Sequence, residues 1–313
     1  MSMSGVTPLI DIVTGAFGFT GAAIARNLLA QGRAVRTLTN HANAGHPLAG
    51  RVQAEPLNFS DIARLRRSLE GADVLYNTYW VRFAYGGMTY DRAVGNSRML
   101  IRAAKEAGVR RIVHVSIANY SDDSPLGYYH GKAQVVRAIQ ESGLSYAIIC
   151  PTLIFGDGGI LINNIAWLLR RFPFFAIPGN SDCRMQPIFV EDLAEMMVHA
   201  GSQCGNTIDD AAGPETYTFE DLLRMMGKVL SRKVRILRVG PRILSMIVRP
   251  LDWMTGDIVL MSWEIDGLAG DLLVSKRPPL GRTRLSEWLT QNADKVGQRY
   301  LSELQTHFGL HAI

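Results

Sequence analysis

Apolar and polar positions alternate along the first half of the chain in two periods, taken in turn. Short β-branched runs, LIDIVT (9–14), AVRTLT (34–39), VQAEPL (52–57), DVLYNT (73–78), RRIVHVS (110–116) and LSYAIIC (144–150), read as buried strands. Between them the spacing becomes helical. FTGAAIARNLLAQG (19–32) is stopped by Gly32, and SDIARLRRSLEG (60–71) carries a Ser cap and a glycine stop. SRMLIRAAKEAG (97–108) is a third helix, and another follows Pro125. Strand–helix alternation at this interval predicts right-handed crossovers and a parallel, doubly wound α/β sheet.

After Pro151 the regularity breaks. A helix GILINNIAWLLRR (159–171), a loop FPFFAIPGNSDCRM (172–185) and the run QPIFV lead into a helix EDLAEMMVHAG (191–201). The last hundred residues mix helices with short strands, VRILRV and DLLVS, and close in one helix over 284–308. The expected organisation is a sheet domain over 1–155, rejoined by 181–202. A smaller mixed lobe takes 156–180 and 203–313 and lies over the carboxyl edge of the sheet, where such folds place ligands.

With 47% hydrophobic residues and a net charge of +5, the chain has the composition of a folded protein, not a disordered one. Lys and Arg are scattered, which argues against nucleic acid as a partner and suits an anionic small molecule. Cys150, Cys183 and Cys204 form no CxxC pair, so neither a disulfide framework nor a metal site is expected. The N-terminus runs almost directly into the first strand, leaving no room for a signal peptide. No apolar run is long enough to span a bilayer, and a cytoplasmic protein is expected.

The chemistry begins at TGAFGFTG (14–21), between the first strand and the first helix. Gly15 permits the tight turn, Gly18 lets backbone amides approach a pyrophosphate, and Gly21 lets the helix press on the sheet. The positive helix end faces the phosphates. Dinucleotide binding is therefore expected, with Phe17, Phe19 and Thr20 beside the glycines.

TGxxGxxG in this place resembles the short-chain dehydrogenase/reductase superfamily, in its extended and atypical branches. The resemblance runs on through the Asn96 helix, VRRIVHVS, the Tyr128–Lys132 spacing, YAIICPTLIFG and QPIFVEDLAE. It is similar to the atypical members that include the nucleotide-binding accessory subunit of respiratory complex I, and to NAD-dependent epimerases and dehydratases. The family implies a Rossmann sheet with a substrate lobe and NAD(P) binding, though some atypical members bind the cofactor without known turnover. The second strand ends Thr39-Asn40-His41 with no acid, and Arg36 is nearby. NADP(H) is thus favoured over NAD(H). The family aspartate after the third strand is Asn58 here.

Tyr128 and Tyr129 stand four and three residues before Lys132, and helix angle alone admits either. The family's YxxxK spacing selects Tyr128. The resemblance further implies a Ser116–Tyr128–Lys132 site, in which Ser116 holds the substrate oxygen and Lys132 lowers the phenol pKa. Asn77, Thr78 and Pro151 would meet the cofactor through backbone. Tyr79 and Trp80 line a substrate pocket or cap the sheet. Arg184 matches an arginine that holds a diphosphate in sugar-nucleotide relatives. Asn96 and His114 read as structural.

The expected function is NAD(P)-dependent hydride transfer with a carbonyl or alcohol. A sugar-nucleotide epimerase or dehydratase with retained NAD, and a non-catalytic cofactor-binding accessory protein, stand beside it. The substrate is small, lipophilic or a nucleotide sugar. Residues 235–263, rich in Arg, Met and Trp, read either as a helix pair packed on the core or as a surface that meets a membrane or a lipophilic substrate. Family precedent adds a homodimer.

Overall fold

A computed structural model of the protein describes residues 9–40, 44–179, 183–240, 243, 246–247, 255, 257 and 271–308. The chain forms two compact units, Met1–Cys150 with Leu193–Asp209, and Pro151–Asp192 with Asp210–Ile313.

The first unit is built on the strands the β-branched runs predict: β1 (Ile10–Thr14), β2 (Ala34–Leu38), β3 (Gln53–Glu55), β4 (Ala72–Asn77), β5 (Arg111–Val115) and β6 (Ser145–Pro151). Helices α1 (Phe19–Ala30), α2 (Ile62–Leu69), α3 (Tyr90–Glu106) and α4 (Gly127–Glu141) alternate with them. The sheet order is β3-β2-β1-β4-β5-β6, extended at its edge by β11 (Thr207–Ala211). All ladders from β3 to β6 are parallel. This is the Rossmann doubly wound sheet, and its strand order reverses between β1 and β4, where the family of folds opens a ligand crevice. Ile12, Leu75, Ile112 and Ile148 from neighbouring strands pack with Leu65, Leu100 and Ile139 from the helices.

Arg111 is fully buried, and its guanidinium donates to Ala200 O, Gly205 O and Ser145 Oγ. It thereby fastens the end of α6 (Val190–Ser202) and the turn before β11 to the sheet. Ala200 O, which also accepts from Gln203 N, and Gly205 O thereby each gain a charged donor.

In the second unit β7 (Leu153–Phe155) pairs with β10 (Pro187–Phe189), β8 (Phe174–Pro178) with β13 (Arg235–Val239), and β9 (Arg184–Met185) with β12 (Tyr217–Thr218). Phe155, Ile165 and Leu169, the last two from α5 (Ile160–Arg171), share a core with Leu222 and Met226 of α7 (Phe219–Val229) and with Leu289.

Several local expectations change. Asp61, not Ser60, caps α2, accepting from Arg64 N at 2.9 Å. The helix expected after Pro125, α4, starts at Gly127 without a side-chain cap, and Ser124 closes a turn onto Leu126 N. The helix expected over 191–201 runs from Val190 to Ser202, and its Asp192 accepts from Arg282 N and Thr283 N. The supposed loop 172–185 contains β8 and β9. Residues 284–308 form two helices, Leu285–Gln291 and Glu303–Phe308, instead of one. Gly297 breaks the run. Its φ is +73°, and a Cβ there would lie 2.5 Å from Trp167 N, so the chain must pass α5 as bare backbone. Of 235–263, the stretch read as a helix pair or as a membrane or lipid surface, most of 241–263 lies outside the described residues.

Candidate functional site

The glycine turn leaves β1 through Gly15, at φ +67°, whose amide donates to Leu38 O at 3.0 Å. Gly18 N returns to Gly15 O at 2.9 Å, and α1 begins at Phe19 with no side chain capping it. The first amides of the helix therefore face outward without an intrahelical partner, in the positive end of the macrodipole. At Gly21 a Cβ would fall 2.2 Å from Gly15 O and 2.7 Å from Gly15 C, so only glycine allows α1 to close on the turn. A linked pair of phosphates fits this bare, amide-lined start. Phe17 leans on His46 at 5.3 Å.

Across the switch point the end of β4 is laced to the end of β1. Thr78 N donates to Thr14 Oγ1 at 2.7 Å, and Thr78 Oγ1 to Thr14 O at 2.5 Å. Asn77 Oδ1 accepts from Thr14 Oγ1 and Tyr79 N, while its buried Nδ2 has no partner among the described residues. An unpaired buried amide costs about 1–3 kcal/mol, and such a group beside a crevice points to a ligand acceptor.

On the adenosine side, Asn40 Nδ2 donates to Leu57 O at 2.9 Å, and Asn58 Oδ1 accepts from Ser60 N and Oγ. Asn58 thus spends its acceptor on a local turn. His41 lies outside the described residues. Arg36 does not point to the ribose. Its NH1 donates to Ser68 O and Glu70 O, which precede β4, at the opposite edge of the sheet from the glycine turn. That removes one of the two grounds for preferring NADP(H).

Ser116 follows β5, is 3% exposed, and its Oγ has no partner among the described residues. The preceding carbonyl, Val115 O, accepts from Lys132 Nζ at 2.9 Å. Hydroxyl and lysine therefore share one strand end. Lys132 is 3% exposed, and burial takes its pKa down to about 7. The same burial, reinforced by the Lys132 charge, keeps His114 neutral. Tyr128 lies one helical turn before Lys132 and is half-buried, whereas Tyr129 is 2% exposed in the core.

Trp80 joins these groups. Its ring lies 4.9 Å from Lys132 Nζ, stacks on Tyr90 at 6.2 Å and meets Tyr128 edge-on at 6.0 Å. The two glycines of α4 make room for this. A Cβ on Gly131 would fall 2.9 Å from Trp80 Cη2, and one on Gly127 would fall 3.0 Å from Tyr90 Cδ2. Tyr90 was not among the residues singled out from sequence. It opens α3, ten residues after Trp80.

Tyr79 accepts from Asn96 Nδ2 at 2.8 Å, and burial raises its phenol pKa. Pro151 closes β6. Arg184 belongs to the second unit, where its guanidinium and amide are bound to Asp271 on an exposed surface.

The family described as NAD(P)H-binding matches residues 15–160. This match falls almost entirely on the first unit. The extended short-chain dehydrogenase/reductase pattern fits it. NADH dehydrogenase (ubiquinone) 1 alpha subcomplex subunit 9, mitochondrial, of Arabidopsis thaliana is 22% identical over 293 residues, 87% of this chain and 72% of its own. Two solved structures share the fold. The triphenylmethane reductase of Citrobacter sp. has a TM-score of 0.75 and 16% identity over 91% of this chain and 99% of its own. The NADPH-dependent quinone oxidoreductase of Escherichia coli, complexed with NADPH, has 0.71 and 18% over 91% and 99%.

Proposed function

We propose that the protein transfers hydride between a nicotinamide dinucleotide and a carbonyl or alcohol, with Ser116, Tyr128 and Lys132 as its own reacting groups. One observation carries this reading: a buried, unpartnered Ser116 hydroxyl on the strand end that also holds Lys132, one helical turn from Tyr128. The glycine turn and Asn77–Thr78 would hold the dinucleotide, which would supply or accept the hydride. Ser116 Oγ–H donates to the substrate oxygen and fixes its position. Tyr128 passes a proton to that oxygen, or takes one from it. A protonated Lys132 favours the phenolate, and with its pKa near 7 that support fades as the pH rises through neutrality. NADPH is preferred because β2 runs into Thr39 and Asn40, with no acid to repel a 2′-phosphate. The likeness to an NADPH-dependent quinone oxidoreductase supports the same class of reaction.

The test is NADPH oxidation with a panel of aldehydes, ketones and quinones. Turnover that Tyr128→Phe lowers by about 100-fold or more, with dinucleotide affinity unchanged, supports the relay. Equal turnover by the variant removes Tyr128 from it.

A second reading, a cofactor-binding protein without turnover, is favoured by Trp80, which covers Lys132. In that case NADPH binds and no carbonyl substrate is reduced. The nucleotide-sugar reading loses its cation, because Arg184 is committed to Asp271.

A further inference from the structure

The second unit carries a face that the dinucleotide site does not use. β8 and β13 run parallel, with Phe174 beside Arg235 and Ala176 beside Leu237. Their inward side chains, Phe175, Ile177 and Ile236, join the unit's core. Their outward ones are left to solvent: Phe174 is 49% exposed and Leu237 45%, with Phe172 at 39% just ahead of β8. Of the nine large hydrophobic side chains that stand exposed among the described residues, six fall within 172–174 and 237–247. Single exposed apolar residues are ordinary, but Phe172, Phe174 and Leu237 gather at one ribbon.

The charge on the same stretch is one-sided. Residues 222–251 hold eight Lys and Arg and no Asp or Glu, more positive charge than the +5 of the whole chain. Arg224 and Arg238 are shared by Glu220. Arg232, Lys233 and Arg235 are exposed, and among the described residues no acidic side chain bridges them. Arg235 lies 5.7 Å from the Phe174 ring, so the cation and the apolar group share one surface.

We propose that this ribbon is a peripheral docking face for an anionic lipid bilayer. Aromatic and aliphatic side chains among unpaired cations match the boundary between acyl chains and acidic headgroups. No described helix is long and apolar enough to cross a membrane, so the attachment is one of surface contact. A second protein copy would be repelled, since pairing this face with itself sets Arg232, Lys233 and Arg235 against their own images.

The experiment uses the full chain with phosphatidylcholine vesicles, with and without about a third phosphatidylglycerol. Sedimentation with the anionic vesicles, falling several-fold from 50 to 300 mM salt, is the expected result. Arg232→Glu with Arg235→Glu should lower partitioning about tenfold or more. Phe174→Ser with Leu237→Ser, both at exposed positions, should lower it comparably without removing the salt dependence. Titration with NADPH confirms in each case that the first unit is intact. Sedimentation no greater than a soluble control overturns the proposal. So does equal binding by both double variants, or a dimer in solution that the serine variants dissolve. None of these outcomes bears on hydride transfer.

Discussion

Lys132 offers the sharpest test of the site, because its amine is sealed and its pKa is displaced. In the folded protein the amine is neutral above about 7, whereas in the unfolded chain it stays protonated to its ordinary 10.5. Between those values the unfolded state binds the extra proton, so the lysine's contribution to stability improves as pH rises. Replacing it by methionine keeps the buried stem and removes the titration. Relative to Lys132→Met, the natural protein should gain about 2 kcal/mol between pH 7 and pH 9. Urea unfolding of both proteins at the two pH values reads this directly. A difference that stays flat within about 0.5 kcal/mol, or that falls with pH, would refute the claim that burial dominates at this amine. A second variant tests the cause. Trp80→Leu strips the indole from over Nζ and should shrink the pH-dependent gain, because water then reaches the ammonium.

Two further outcomes follow from the packing. Gly21→Ala puts a methyl against the Gly15 carbonyl, with backbone on both sides of the contact; it should cost about 1–3 kcal/mol and weaken dinucleotide binding at least tenfold, read by thermal shift and titration. Gly131→Ala drives a methyl into the Trp80 ring and should shift the tryptophan emission to the red while leaving far-ultraviolet circular dichroism unchanged. An unaltered spectrum would mean that the ring does not rest on α4.

Much of the first unit was legible because most of its strands fall in short β-branched runs and each helix has a stop. The glycine turn was legible for the same reason: Gly15, Gly18 and Gly21 leave few alternatives once a strand precedes them. β11, TIDDA, escaped because an edge strand half open to water shows no apolar run. β8 escaped because FPFFAIPG reads as a proline-rich loop, although its partner β13 lies sixty residues away. In the site, spacing brought Tyr128 and Lys132 onto one helix, but nothing local announced that Trp80 covers the lysine. That contact spans fifty residues and depends on two glycines, which from sequence alone look like weak points in α4. Arg36 misled for a related reason. Position on β2 fixes its Cα, while the long side chain follows the carbonyls at the end of α2.

The most direct measurement is calorimetric titration of the purified protein with NADPH, NADH, ADP-ribose and adenosine. If the amides at the start of α1 grip a pyrophosphate, at least one nicotinamide dinucleotide binds well below millimolar, ADP-ribose competes with it, and adenosine does not. Neither dinucleotide binding up to millimolar concentration, or adenosine competing as well as ADP-ribose, would contradict the account.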